Sequence, residues 1–331
     1  MTFPAFQTSL RRLLVILSIF VLAPTAIFWI MTTQPIFPTS PQIDSKKVNP
    51  KALEAHVRML SETFAPRNDY HPAQLDHTAD YILKEFEKAG GRVSEQVFKV
   101  DGHIYRNVIA HFGPETRERI VVGGHYDAYG EFPGADDNAS AIAGLIELAY
   151  LLKKTSLTTL VELVAFALEE PPYFTTANMG SAVYADSMKK QKIPVRIMIC
   201  LEMIGYFSDA KGSQKFPAPL LKLFYPSQGN FIAVVGKMDQ ISAVRRVKKA
   251  MQGSSVLPVF SINAPTFVQG IDFSDHRSYW QAGYDAVMIT DTSFYRNPNY
   301  HTAKDTADTL DYDKMAMVVQ GVYASVLTYD E

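Results

Sequence analysis

The sequence VVGGHYDAYGEFPGADDNAS, residues 121–140, decides both the predicted fold and the predicted chemistry. An apolar run ends in two glycines and is followed by His125 and Asp127. A glycine-containing segment then leads to the adjacent pair Asp136 and Asp137. Taken alone, such an acidic pair is usually a solvated turn or a helix cap. Carboxylates gathered behind a buried strand repel one another unless a cation neutralises them. The segment is therefore either a solvated turn or part of a cation-binding site, and the rest of the sequence is needed to distinguish the two.

The composition restricts the functions that the chain can have. Of 331 residues, 47% are hydrophobic and 20% are charged, which is typical of a globular protein with a large core. The net charge of -2 gives no basic surface, so nucleic acid is not expected as a partner. The single cysteine, Cys200, excludes an internal disulfide and a cysteine-based metal site. Any metal ion must therefore be bound by histidines and carboxylates.

Residues 1–31 are predicted to form a membrane anchor. Arg11 and Arg12 precede an uncharged run from Leu13 to Met31, which as a helix would measure roughly 28 Å, close to the hydrocarbon thickness of a bilayer. The arginines favour a cytoplasmic N-terminus, which places the rest of the chain outside the cytoplasm, in the periplasm if the source is bacterial. A cleaved signal peptide, with a secreted product, and a buried helix are the alternatives.

Two further regions follow the N-terminal segment. Residues 32–48 begin with a sequence rich in proline and threonine and are predicted to be a tether. Residues 49–331 contain no segment that resembles a linker and are predicted to form one catalytic domain.

Within that domain, short β-branched apolar runs alternate with segments whose apolar residues recur every three or four positions. This alternation predicts an α/β three-layer sandwich, with a central mixed, mostly parallel sheet and helices on both faces. His125, Glu169, Glu170 and Glu202 lie at or just beyond the carboxyl end of a predicted strand. Open α/β sheets bind ligands at that edge because loops from several strands converge there.

Histidines and carboxylates without thiolates suit zinc or a similar divalent ion. The candidate ligands are His125, Asp137, Glu170, Glu202 and His301. Two ions about 3.5–4 Å apart could share one carboxylate and take two further ligands each, which accounts for all five. The alternatives are that Glu169 and Glu170 end a strand that faces water, and that Glu202 pairs with a lysine.

At five motifs the chain resembles the co-catalytic zinc aminopeptidases, whose relatives include glutaminyl cyclases and prostate-type glutamate carboxypeptidases. The motifs are GGHYDA, GADDNAS, ALEE, LEMIGY and NYHTAKDT, in the family's order and within roughly residues 73–331. The resemblance implies two zinc ions per chain and a peptidase, with aminopeptidase action on peptide substrates expected. Asp137 would bridge the ions, with His125 and Glu202 on one and Glu170 and His301 on the other.

The resemblance also implies roles for residues beside the ligands. A hydroxide between the ions would be the nucleophile, and Glu169 stands at the position of the general base. Tyr300 matches a tyrosine that in some members donates a hydrogen bond to the oxyanion, although packing is the common role of a tyrosine. Asp127 matches the aspartate that orients the first histidine. Asp305 would orient His301 or cap the next turn.

Three local features qualify or extend this resemblance. Glu202 stands where many aminopeptidases have aspartate, which moves the ligand oxygen by one methylene. After Glu170, the sequence PPYFTTANMGS replaces a short glycine-containing turn and is expected to border the substrate pocket. Family members carry a non-proline cis peptide after the bridging aspartate, which is expected here between Asp137 and Asn138.

Two other functions stay open at this point. Glutaminyl cyclases use a related scaffold with a single zinc, but they generally have tryptophan before the last histidine, where this chain has tyrosine. A catalytically inactive receptor or scaffold would be expected to have lost ligands, whereas this chain keeps all five and the base. The sequence does not determine the side-chain preference, exo- or endo-action, the native metal or the oligomeric state.

Overall fold

The computed structural model describes residues 4–36 and 47–331. Its strands are β1 (Arg92–Val100), β2 (His103–Phe112), β3 (Arg119–His125), β4 (Leu160–Phe166), β5 (Val195–Glu202), β6 (Ile232–Gly236), β7 (Val259–Asn263) and β8 (Ala286–Thr290). Its helices are α1 (Pro4–Thr33), α2 (Pro50–Arg58), α3 (Pro72–Lys88), α4 (Ala141–Leu152), α5 (Gly180–Lys190), α6 (Ile241–Gln252), α7 (His276–Ala282) and α8 (Tyr312–Asp330). Short helical turns cover Met59–Thr63, Ala135–Ser140, Pro219–Leu223, Met238–Gln240, Ser293–Tyr295 and Ala307–Thr309.

The eight strands form one sheet in the order β1-β2-β4-β3-β5-β8-β6-β7. Its four central strands, β4, β3, β5 and β8, run parallel, whereas β1, β2 and β6 join their inner neighbours in the antiparallel sense. The predicted mixed sheet, parallel at its centre, is therefore confirmed. Because the central strands share one direction, their carboxyl ends lie at one edge of the sheet.

The central strands are buried on both faces, and β3 illustrates how. Ile120 and Val122 pack into one apolar layer together with residues of α4 and α8, while Val121 between them packs into the opposite layer with residues of α5 and α7. Successive side chains of a strand point to opposite faces, so burial on both faces requires a continuous apolar run. This confirms the predicted helices on both sides of the sheet.

Two glycines at the end of β3 let its neighbours approach closely. A Cβ atom on Gly124 would lie 2.8 Å from the backbone oxygen of Leu201 and 3.1 Å from the Cβ of Ala141. At Gly123 an added Cβ would meet the ring of Phe166. The glycines therefore allow β3, β5 and the start of α4 to converge just before His125.

The N-terminal segment differs from its prediction. Within residues 4–36 and 47–331, no helix combines the length and the apolar character that crossing a bilayer requires. The prediction of a membrane anchor with an extracytoplasmic domain is therefore wrong. The prediction weighed only length and hydropathy, whereas the end of α1 has partners in the domain. The backbone oxygen of Thr33 accepts hydrogen bonds from Lys248 Nζ and Ser261 Oγ, both at 2.8 Å.

The predicted tether is described only at its ends. Residues 37–46 lie outside the described residues. On one side of them Thr33 and Gln34 are buried, and on the other side Val48 belongs to the core. The domain boundaries at residues 31 and 48 stay predictions.

We expect Gly124→Ala to lower the free energy of unfolding by about 1–3 kcal/mol, because the new methyl group would clash with the backbone oxygen of Leu201 and the Cβ of Ala141. Urea denaturation monitored by circular dichroism measures this change. Gly253→Ala is the matched control, since its Cβ would have only ordinary contacts at 3.5 Å and its φ of -78° suits alanine. Equal stability of the Gly124→Ala variant and the wild type would contradict the close approach.

Candidate metal centre

The structure brings the five predicted ligands together at the carboxyl edge of the sheet. His125 ends β3, Glu202 ends β5, and Glu170 lies four residues beyond β4. Asp137 belongs to the helical turn that precedes α4, and His301 lies between β8 and α8. Loops from four parallel strands therefore supply the site, as the strand-end positions in the sequence predict.

Asp137 lies between two imidazoles and presents one carboxylate oxygen to each. Its Oδ1 is 3.4 Å from His125 Nε2, which also lies 3.3 Å from Glu202 Oε2. Its Oδ2 is 3.1 Å from His301 Nε2, which also lies 3.3 Å from Glu170 Oε1. In each of these two triads, the possible ligand atoms lie within 4.8 Å of one another. Each triad could hold a metal ion, and Asp137 belongs to both triads.

Several atoms that face this centre lack a hydrogen-bond partner among the described residues. They are His125 Nε2, Asp137 Oδ1, Glu170 Oε1 and His301 Nε2, all of them buried. Buried polar atoms in proteins are nearly always hydrogen-bonded, so unpaired atoms that converge on one point indicate a missing ligand. Imidazole nitrogens and carboxylate oxygens are suitable ligands for zinc. The residues present therefore fit a pair of divalent cations.

The electrostatics of the centre favour added positive charge. Burial raises the pKa of Glu169 well above its ordinary value and that of Glu170 to about 7. Burial acts to lower the pKa of His125, but the carboxylates of Glu202 and Glu169 raise it well above the usual value. Burial acts to raise the pKa of Asp137, but the adjacent imidazoles of His125 and His301 make the net shift downward. Without a cation, the crowded carboxylates are thus compensated only by protonation.

Asp127 contacts both a ligand and the segment that carries the predicted base. The Nδ1 atom of His125 lies 3.1 Å from the backbone oxygen of Asp127 and 3.4 Å from its Oδ1. The same carboxylate accepts hydrogen bonds from the backbone N–H groups of Glu169 and Glu170, at 3.1 and 3.0 Å. The sequence predicted the contact with His125 but gave no sign of the contact with the chain after β4.

Asp305 contacts the helical turn that precedes α4. Its carboxylate accepts hydrogen bonds from the backbone N–H groups of Asp136 and Asp137, at 2.9 and 3.1 Å. Among the described residues, no hydrogen bond or ion pair joins it to His301. Asp305 therefore fixes the turn that carries the central carboxylate. The next peptide bond, between Asp137 and Asn138, is cis, which confirms the expectation from the resemblance.

A cavity of about 200 Å³ opens beside the two triads. Asp137, Glu169 and Tyr300 are among its lining residues. The rest is mainly apolar and includes Phe231, Phe260, Phe273, Phe294 and Met288. Pro171 and Phe174 also line it, so the unusual segment after Glu170 borders the cavity as expected.

Sequence reasoning missed Arg67, which is completely buried beside the centre. Its guanidinium donates to the backbone oxygens of Tyr126, Pro133 and Gly134 at 2.9–3.0 Å, and also to that of Leu60. Tyr126 and Gly134 lie near the two ends of the loop that links His125 to Asp137. Arg67 thus closes that loop. A single arginine outside any motif carries no sequence signal for this role.

A model of peptidase family M28 matches residues 107–326, which is about two thirds of the chain. The chain belongs to peptidase family M28. The uncharacterized protein YfbL of Escherichia coli (strain K12) is 48% identical to this M28 chain over 84% of the chain and 87% of YfbL. Leucine aminopeptidase 1 of Metarhizium robertsii is 25% identical over 82% of the chain and 67% of the relative. The predicted resemblance to zinc aminopeptidases is thereby confirmed.

Several solved structures share the fold of this chain. The LapA aminopeptidase of Legionella pneumophila superposes with a TM-score of 0.67 at 20% identity, covering 85% of this chain and 72% of LapA. The zinc aminopeptidase BSAP of Bacillus subtilis gives 0.66 at 16%, covering 84% and 95%. A glutaminyl cyclase of Bacteroides thetaiotaomicron gives 0.65 at 18%, covering 87% and 100%. At these identities the likeness shows the α/β fold.

We expect Arg67→Met to lower the free energy of unfolding by about 3 kcal/mol or more, because it leaves buried carbonyl groups without donors. Urea denaturation of the wild type and the variant, both with chelator present, measures the difference without a contribution from bound metal.

The control is Arg196→Met, since Arg196 is partly exposed and also donates to a backbone oxygen, that of Tyr329. This variant should lose about 1 kcal/mol or less. If both substitutions cost the same small amount, Arg67 does not close the loop.

Proposed function

We propose that this M28 chain is a zinc-dependent aminopeptidase that uses two metal ions. The observation that carries the proposal is the position of Asp137, which offers one oxygen to each of two imidazole–carboxylate pairs. The leucine aminopeptidases among its relatives support the choice of peptide substrates.

The two cations would have separate ligands on either side of Asp137. His125 and Glu202 would bind one ion, and Glu170 and His301 the other. When bound, such ions lower the pKa of a water molecule to about 7 and polarise the scissile carbonyl group. The remaining steps belong to side chains of the chain itself.

Glu169 is the proposed general base. Its carboxylate lies at the boundary between the centre and the cavity, with Oε2 3.9 Å from His125 Nε2. Burial raises its pKa well above the ordinary value, which favours a group that takes a proton from water and returns it to the leaving amine. The hydrogen bond from its backbone N–H group to Asp127 fixes the segment that carries it.

Tyr300 is the proposed donor to the developing oxyanion. It lines the same cavity as Glu169, and its ring stacks on His301. Burial raises the pKa of the phenol above its usual value, so the hydroxyl keeps its proton and can donate it in a hydrogen bond.

The cavity supports a preference for bulky apolar N-terminal residues. Aromatic and aliphatic side chains cover most of the wall of the cavity that Glu169 and Tyr300 also line. A charged side chain would lose its hydration against these apolar walls. Leucine and phenylalanine are therefore the expected N-terminal residues of good substrates.

Glutaminyl cyclisation is the second candidate, favoured by the fold shared with a bacterial glutaminyl cyclase. It uses a single zinc, whereas this chain has two complete triads around Asp137. An inactive binding protein is disfavoured because the five ligands and Glu169 all lie at the centre. The number of bound zinc ions and the product formed distinguish these functions.

We expect Glu169→Gln to keep the fold and two equivalents of zinc while lowering kcat by roughly 10²–10⁴-fold, since only the proton acceptor is removed. Hydrolysis of leucine p-nitroanilide gives the rate, and metal analysis of the dialysed protein gives the stoichiometry. Glu115→Gln is the control, because this glutamate is exposed and pairs with Arg92. A variant with wild-type turnover would exclude Glu169 as the base.

A substrate panel tests the proposed activity and its preference. We expect anilides of leucine and phenylalanine to be hydrolysed with kcat/KM at least about tenfold above that of glutamate anilide, because the cavity is apolar. The chelator 1,10-phenanthroline should abolish the activity and added zinc should restore it. Conversion of an N-terminal glutamine peptide to its cyclised product, without anilide hydrolysis, would favour the cyclase instead.

A further inference from the structure

The two histidines of the centre are positioned in different ways. The Nδ1 atom of His125 lies 3.1 Å from the backbone oxygen of Asp127, within a buried β-strand end. Metal-binding histidines usually make such a contact, which fixes the plane of the ring. Among the described residues, no hydrogen bond reaches either ring nitrogen of His301. His301 also lies in an irregular loop and has a φ of +55°. Its ring must therefore be held by other means.

Two tyrosine rings stack on the imidazole of His301. The ring centroid of Tyr129 lies 4.0 Å from that of His301, with an interplanar angle of 5°. The ring centroid of Tyr300 lies 3.7 Å away, with an angle of 17°. Two rings at this separation and nearly parallel to the imidazole cannot share one face of it. The imidazole is therefore enclosed between them, and rotation of its ring is blocked on both sides.

From this stacking we propose that Tyr129 is a positioning residue for the metal ion that His301 binds. The aromatic ring, and not the hydroxyl group, orients the imidazole so that Nε2 faces Asp137 and Glu170. This inference rests on the proposed two-metal function and adds a residue that none of the sequence motifs assigns.

The surroundings of Tyr129 distinguish it from Tyr300. Tyr300 lines the cavity, whereas Tyr129 is not among the described residues that line it. The Tyr129 side of the stack faces solvent, since this residue is 37% exposed. Its loop is fixed nearby by a 2.7 Å hydrogen bond from the backbone N–H of Ala128 to the backbone oxygen of Arg67. The ring of Tyr129 therefore lies against His301 and outside the described lining of the cavity.

The test compares zinc binding by Tyr129→Ala, Tyr129→Leu and Tyr129→Phe with the wild type, by competition with a chromophoric chelator. We expect the alanine and leucine variants to bind one of their two zinc equivalents about tenfold more weakly, because the imidazole is free to rotate. The phenylalanine variant should stay within twofold of the wild type. His301→Ala identifies the affected equivalent, since it should weaken the same one. Tyr70→Ala, at a 75% exposed tyrosine, is the control.

Kinetics separates positioning from substrate contact. Excess zinc should restore kcat of Tyr129→Ala with KM unchanged, whereas a raised KM that zinc does not repair would overturn the proposal. Wild-type affinity for both equivalents in the alanine variant would also overturn it, as would equal losses in the phenylalanine and alanine variants. A wild-type protein that binds fewer than two equivalents would contradict the proposed function itself, and this inference with it.

Discussion

The repulsion among buried carboxylates at the end of the central strands is the constraint on which the rest of the structure depends. Asp137, Glu169, Glu170 and Glu202 are all less than 10% exposed and lie around two imidazoles. In a folded interior, like charges at these separations are unfavourable by several kcal/mol unless protons or cations compensate them. Burial first, and the neighbouring carboxylates in addition, raise the pKa values of Glu169 and Glu170. Two divalent cations between the histidines would remove this repulsion and make the same residues useful for hydrolysis.

The surrounding structure fixes this unfavourable arrangement mainly through backbone groups. The carboxylate of Asp127 accepts from two N–H groups after β4, and the carboxylate of Asp305 accepts from two N–H groups before α4. Asn138 donates from its side chain to the backbone oxygen of Leu201 and accepts from the N–H group of Met203. Each of these contacts ties together loops that follow different strands. These contacts fix the backbone of the segments that carry the proposed metal ligands, which is the usual basis of an effective metal site.

The sequence predicted the parts of the site that depend on strand ends. His125 and Glu202 end buried strands, and their apolar runs are readable from the pattern alone. Asp137 and His301 were candidate ligands from their residue types, but the bridging role of Asp137 and the division of the ligands required the family resemblance, because loop residues carry no periodicity. Arg67 and Tyr129 were not predictable, since their roles depend on contacts across the fold that no local pattern records. The N-terminal segment was misjudged for the same reason: the apolar run is visible in the sequence, but the docking of Thr33 onto Lys248 is not.

The central claim is that two cations share the carboxylate of Asp137, and anomalous diffraction from crystals grown with zinc tests it most directly. Data collected above and below the zinc absorption edge would reveal each ion without assumptions about the protein. The account predicts two strong peaks, one beside His125 and Glu202 and the other beside Glu170 and His301, each within bonding distance of a different oxygen of Asp137. A single peak, or peaks away from this carboxylate, would contradict it.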